Sequence, residues 1–184
     1  MAKKARGKAR PARKVARKAA RKPARKKVEA VPRASGALVP GLAIRGAAAA
    51  IEFYKKAFGA KELSRMASPD GKIMHAELRL GDRVLFLGDE SPEMGAPSPQ
   101  TLGGSPVSFM HYVKDVDAVY ARAVAAGAKP VMPPADMFWG DRYGQVTDPF
   151  GHRWALATHQ ADLTPRQMKK AMDEWMASQG MAQG

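Results

Sequence analysis

The chain repeats itself, and that constrains its fold more than any other feature. Ala50-Ile51 followed by Gly59-Ala60-Lys61 recurs as Ala118-Val119 followed by Gly127-Ala128-Lys129, a shift of 68 residues. Gly81-Asp82-Arg83-Val84 recurs as Gly151-His152-Arg153-Trp154, a shift of 70. Each copy reads as a strand, a helix and three further strands. The length of 184 residues suits one compact domain or two very small ones.

In the first copy, residues 38–44 form a short apolar strand. Residues 47–58 form a helix with Ile51, Tyr54 and Phe58 on one face, stopped by Gly59 where a left-handed cap is favoured. A strand over 62–67 ends in Ser68-Pro69-Asp70-Gly71, a turn. Residues 72–80 alternate polar and apolar, which puts His75 with Glu77 on one face and Met74, Ala76 and Leu78 on the other. Gly81-Asp82 is a two-residue hairpin signal before a last strand over 83–87. In the second copy, a strand spans 107–113, Asp115 is an N-cap, and the helix over 116–126 stops at Gly127. Strands near 137–139, 143–147 and 153–157 follow. A Pro/Gly/Ser-rich linker separates the copies over 88–106. Thr164-Pro165 opens a C-terminal helix whose Met168, Ala171, Met172 and Trp175 form a packing stripe.

The charge sits in one segment. Residues 1–33 hold fifteen Lys/Arg against Glu29 alone, whereas the remainder has equal numbers of basic and acidic side chains. This Ala/Pro-rich tail repeats a loose unit in Pro11-Ala-Arg-Lys, Ala16-Arg-Lys-Ala and Pro23-Ala-Arg-Lys, and has almost nothing to bury. It is expected to be disordered in isolation. Two readings stand side by side. The tail binds DNA or RNA through counterion release, with Lys14, Arg17, Lys18, Arg21, Lys22, Arg25 and Lys26 at its centre, or it is an arm with no dedicated partner. The repeats resemble, in composition, the tails of linker histones and bacterial nucleoid-associated proteins. No aromatic is interleaved, so base stacking is unsupported. A transit peptide fits poorly, because the tail is Lys-rich and lacks serine.

Zero cysteine excludes a disulfide framework, a thiolate nucleophile, a zinc ribbon and an iron–sulfur centre. No apolar run approaches the ~20 residues that cross a bilayer, so no membrane partner is expected. A cytoplasmic location is expected, with nucleoid association through the tail as a variant.

The paired units, with Ile51-Glu-Phe-Tyr, Met74-His-Ala-Glu, Leu102-Gly-Gly-Ser-Pro-Val, Val113-Lys-Asp-Val-Asp-Ala, Trp139-Gly-Asp-Arg and Asp148-Pro-Phe-Gly-His, resemble the vicinal oxygen chelate superfamily over residues 37–176. The similarity is to its glyoxalase/bleomycin-resistance/dioxygenase branch. It implies an α+β fold of two tandem βαβββ modules and a homodimer. The expected division is a tail over 1–36, a domain over 37–160 with modules 37–90 and 107–160, and a C-terminal helix and tail over 161–184.

Enzymes of that superfamily usually hold a divalent metal on one side chain from the first and last strand of each module. Transferred here, the positions fall near Val39, Leu85, Ser108 and Ala155, and three of the four offer no donor. No metal and no cofactor are therefore expected. What remains is a set of candidates. His75 and Glu77 could serve as an acid–base pair, or as a solvated or structurally bonded pair. His111 reads as a core histidine and His152 as part of a turn. Tyr112, Trp139, Asp141, Arg142 and Gln145 could line a site for a small planar or anionic organic ligand. Trp139 and Arg142 could equally fix a sheet edge. The expected function is ligand binding by sequestration; a lyase, isomerase or dioxygenase of the same superfamily, and a nucleic-acid-associated protein, are the alternatives.

Overall fold

The computed structural model describes residues 37–178. The expectations made for residues 1–36 and 179–184 lie outside them. Two sheets of identical topology carry the duplication. In the first, β1 (Gly41–Ile44), β4 (Arg83–Asp89), β3 (Ile73–Leu80) and β2 (Lys61–Ala67) lie in that order, with α1 (Ala47–Phe58) between β1 and β2. In the second the order is β5 (Ser108–Tyr112), β8 (Arg153–His159), β7 (Asp141–Thr147) and β6 (Lys129–Asp136), with α3 (Val116–Ala125) as its helix. The first strand of each sheet pairs parallel with the last, and the other pairings are antiparallel. A short α2 (Pro99–Leu102) interrupts the connection, and α4 (Pro165–Ser178) follows β8.

Local chemistry sets the helix ends. Gly59, at φ 71°, donates its N–H to the Lys55 carbonyl, a left-handed cap that a side chain would strain. Gly46 has no side chain with which to cap α1. The Asp89 carboxylate, at the end of β4, accepts from the Gly46, Ala47 and Ile73 amides instead. Asp115 caps α3 by accepting from the Ala118 amide at 2.9 Å. In the connection, the Glu90 carboxylate accepts from the Thr101 hydroxyl, the Ser98 amide and Arg45, which hold its pKa down at about 2.

Each helix covers one face of its own sheet, and the two helices meet, so both modules share one core. Tyr54 and Phe58 of α1 pack against Trp154 of β8, with ring centroids 5.5 and 4.7 Å apart. Beneath them lies Asp148, whose side chain is fully buried. One of its oxygens accepts from the Phe150 and His152 amides, both at 2.9 Å. The other accepts from the Tyr54 hydroxyl at 2.7 Å and the Trp154 indole N–H at 2.9 Å. Burial pushes this carboxyl up, but hydrogen bonds from His152, Trp154 and Tyr54 outweigh it and hold the group below its ordinary value. Burial, reinforced by Asp148, raises the Tyr54 phenol well above its usual range.

Two expectations fail here. The strand placed near 137–139 is a turn; β6 occupies Lys129–Asp136 despite Pro130, Pro133 and Pro134. An edge strand tolerates prolines because one row of its N–H groups has no ladder partner, and two register shifts absorb them. Met74 does not share the face of Ala76 and Leu78. A register shift opposite Met66 and Ala67 leaves Met74 70% exposed and sends Ile73 into the core.

Asp148→Ala strands two amides, a phenol and an indole N–H, and is expected to cost about 3–5 kcal/mol in urea unfolding. Asp115→Ala removes one cap, at about 1 kcal/mol. Equal costs for the two variants would show that Asp148 does not tie the modules together.

Candidate functional site

The face of each sheet turned away from its helix is open, and the register assigns its side chains. In sheet two, one row across the strands is Lys129, Thr147, Arg153 and Ser108. The next is Met132, Gln145, Ala155 and Met110, and the third Ala135, Tyr143, Ala157 and Tyr112. Asp141 and His159 pair beyond it. The inner strand β8 thus contributes only alanines to the middle of the face. They are 5% and 0% exposed, beneath the larger residues that flank them. Met110 and Tyr112, about half exposed, form an apolar shelf beside Tyr143 and Trp139, whose rings lie 5.5 Å apart, edge to face.

Asp141 organises one end of the shelf. Its buried carboxylate accepts from the Tyr112 hydroxyl at 2.9 Å and the Trp139 indole at 3.1 Å through one oxygen. Its other oxygen lies 2.7 Å from His159 Nδ1. The hydrogen bond to Asp141 raises the Tyr112 phenol pKa. His159 Nε2 is 3.0 Å from Asp162, so both ring nitrogens face carboxylates, an arrangement that only the doubly protonated ring satisfies fully. Asp141 first, then Asp162, raises the His159 pKa accordingly. The linker after β8 docks here as well: the Gln160 and Ala161 amides donate to the Gly140 carbonyl. Gly140 has φ 96°, and a Cβ there would lie 2.4 Å from the Ala161 oxygen. Phe138 packs against Trp175 of α4, the rings tilted with centroids 5.5 Å apart.

At the opposite end, Ser108, Gln145, Arg153 and Ala155 line a pocket of about 170 Å³. A larger cleft of about 380 Å³ opens between the segment before β1, the start of β4 and β5, lined by Leu38, Pro40, Leu85, Phe109 and His111 among others. Its volume is greater, but its lining is mostly apolar, and at its rim Asp82 and Arg83 lie 3.5 Å apart, facing each other. His111 is half buried, and burial lowers its pKa.

Of the residues singled out in the sequence, Tyr112, Trp139, Asp141 and Gln145 come together on this open face. Arg142 does not join them. It points to the helix side, where Asp117 and Asp136 hold its guanidinium and raise its pKa further. Arg153 is a cation of the open face that sequence reasoning passed over, although its place across the turn from Thr147 in an alternating strand marks its side. His75 and Glu77 share the open face of sheet one, 3.4 Å apart, with the His75 ring edge-on to Phe86 at 4.8 Å.

A family model of the Glyoxalase/Bleomycin resistance protein/Dioxygenase superfamily matches residues 38–156. The chain belongs to this superfamily. The uncharacterized protein Mb0911c of Mycobacterium bovis is 47% identical over 139 residues, 74% of this chain and 91% of that protein. The Arabidopsis thaliana At5g48480 gene product, solved by X-ray crystallography, superposes with a TM-score of 0.55 at 33% identity, covering 66% of this chain and 97% of that one. TioX from Micromonospora sp. ML1 gives 0.53 at 28% identity, covering 70% and 100%.

Superfamily membership raises the question of a metal, and the donor set answers it. Ser108 and Ala155 do lie on the open face, as the pattern requires. Leu85 does not: it is buried in the helix-side core, and the open face of β4 carries Val84 and Phe86 in its place. With Val39, these positions supply one hydroxyl and no imidazole or carboxylate, which does not fit a divalent cation. Among the described residues, no three His, Asp or Glu side chains are arranged to hold one elsewhere.

For the His159 bridge, a raised folded pKa means that stability is complete below about 6.5 and is lost as pH rises through the folded value. NMR titration is expected to place His159 above 6.5 and to show Asp162→Asn lowering its midpoint. A midpoint that Asp162→Asn leaves in place would show that the bridge rests on Asp141 alone.

Proposed function

We propose that this protein is a metal-independent, small-molecule-binding member of the superfamily that holds a flat organic ligand on the open face of its second module and sequesters it. The observation that carries the reading is the alanine pair of β8. At one of the superfamily's chelating positions the chain has Ala155, and around it stand the half-exposed Tyr112 ring and Met110 thioether and the partly buried rings of Trp139 and Tyr143. Such a surface offers dispersion and stacking to a planar molecule. The neighbouring pocket, though smaller than a drug-sized site, has room for one ring. The superfamily pattern adds a homodimer to this reading. In the alternative reading, a lyase, isomerase or dioxygenase, His75 and Glu77 act as an acid–base pair; their 3.4 Å approach on an open face supports it.

The tail adds a second activity. Ala-Arg-Lys recurs at Ala12, Ala16, Ala20 and Ala24, a strict spacing of four. The rest of this chain is charge-balanced, which leaves polyanion binding, and any association with DNA or RNA, to residues 1–33.

Calorimetric titration against planar antibiotics and small aromatic metabolites is expected to find ligands that Ala155→Leu, which fills the pocket, weakens at least tenfold with little effect on unfolding. A panel without a ligand, or an indifferent Ala155→Leu, counts against the site. For the tail, each deleted Ala-Arg-Lys repeat removes two cations and is expected to reduce the salt slope of duplex DNA binding by about 1.8. Binding that survives deletion of residues 1–33 would place the polyanion site on the folded domain.

A further inference from the structure

We infer that the ligand face of the second module carries net positive charge at one end only and selects an aromatic carboxylate, whose anion sits on Arg153. This rests on the proposed binding face and deepens it. Three observations converge on that end of the sheet. Arg153 stands on the open face, exposed, and among the described residues its side chain makes no hydrogen bond or ion pair. It lines the same pocket as the Ser108 hydroxyl and the Gln145 amide, two neutral groups that can complete the hydrogen bonding of a carboxylate held by a guanidinium.

Register supplies the second. Lys129, opposite Thr147, lies in the row of Arg153 and adds a second positive charge at this end. Neither that row nor the next contains an acid. The nearest carboxylate along the chain, Asp148, faces the core, where Tyr54 and Trp154 hold it. The third is the opposite end. There the Asp141 carboxylate is fully engaged by Tyr112, Trp139 and His159, so it offers nothing to an anion and orients the rings instead. Asp141 is thus a positioning residue.

Rows two residues apart are separated by about 6.8 Å, so the span from Arg153 to Ala157 is about 13 Å. A one- or two-ring acid matches it, with its carboxylate at Arg153, a ring over Ala155, and its far edge against Tyr112 and Tyr143. The cation that the sequence suggested for an anionic ligand, Arg142, could not serve, since Asp117 and Asp136 neutralise it on the other side of the sheet.

The test uses the full chain at physiological ionic strength and two probes of equal shape, naphthalene carboxylate and naphthalene carboxamide, followed by calorimetry and tryptophan fluorescence. The wild type is expected to bind the carboxylate at least tenfold more tightly. Arg153→Gln should erase that preference and Arg153→Lys retain part of it. The tail is common to wild type and variants, so any binding of the anion to it cancels between them; the preference of each is read after subtracting that of the peptide of residues 1–33. Equal binding of the two probes, or a preference that survives in Arg153→Gln, overturns the anchor while leaving the face as a binding site. Failure of both probes to bind, or binding that Ala155→Leu leaves unchanged, overturns the face and the inference together.

Discussion

A buried hydrogen bond, beside a half-buried one from Arg122 to the Ala57 carbonyl, joins the halves of this duplicated chain. The Tyr54 hydroxyl from α1 donates to Asp148 in the β7–β8 turn, ninety-four residues away. Each module alone has one four-stranded sheet and one helix, too little to enclose a core; together they bury Tyr54, Phe58, Phe53, Phe150 and Trp154 in a single aromatic cluster. A charged carboxylate at its centre is tolerable only because four donors satisfy it. The same contacts fix the turn that launches β8, the strand that carries the alanines of the candidate site. Core packing and site geometry therefore share one anchor.

The two modules differ for a countable reason. In the first, a two-residue turn joins Leu80 to Arg83; in the second, five residues join Thr147 to Arg153. The difference of three is odd, and in a strand an odd offset exchanges the faces. Arg83 therefore lies on the helix side of its sheet in parity, and Arg153 on the open side. Matching the copies at a shift of 70 hides this inversion, which is why Leu85 is core while Ala155 is not.

Much of the fold was legible because its signals are local. The bounds of α1, the Gly59 cap and the Asp115 cap follow from residues within one turn of where they act. The β6 prolines were misleading because propensity carries no knowledge of which strand is an edge. For the site, alternation along single strands sufficed to gather Tyr112, Asp141 and Gln145, while Trp139 comes in from the turn that precedes β7. Arg142 lies next to Asp141 and so points the other way, a consequence of strand period two that proximity in sequence obscures. His159 gave no sequence signal, because its partners, Asp141 and Asp162, meet only once β7 and β8 pair.

Loss of the chelating side chains costs this fold little. Metal ligands of the superfamily stand on the open faces, whereas stability resides on the helix sides, where Leu78, Leu85, Leu87, Trp154 and Leu156 pack. The open faces are thus free to diverge. Here they have diverged from each other: Phe86 rises from the middle of the first, beside His75 and Glu77, while the second is cut down to alanine. On the second face, small residues on the inner strand leave a pocket of about 170 Å³, whereas on the first the space, about 320 Å³, is lined by Phe86, His75 and Met74. The open faces of the two modules thus differ in what they offer: small and neutral side chains at the centre of the second, an aromatic ring beside an imidazole and a carboxylate in the first.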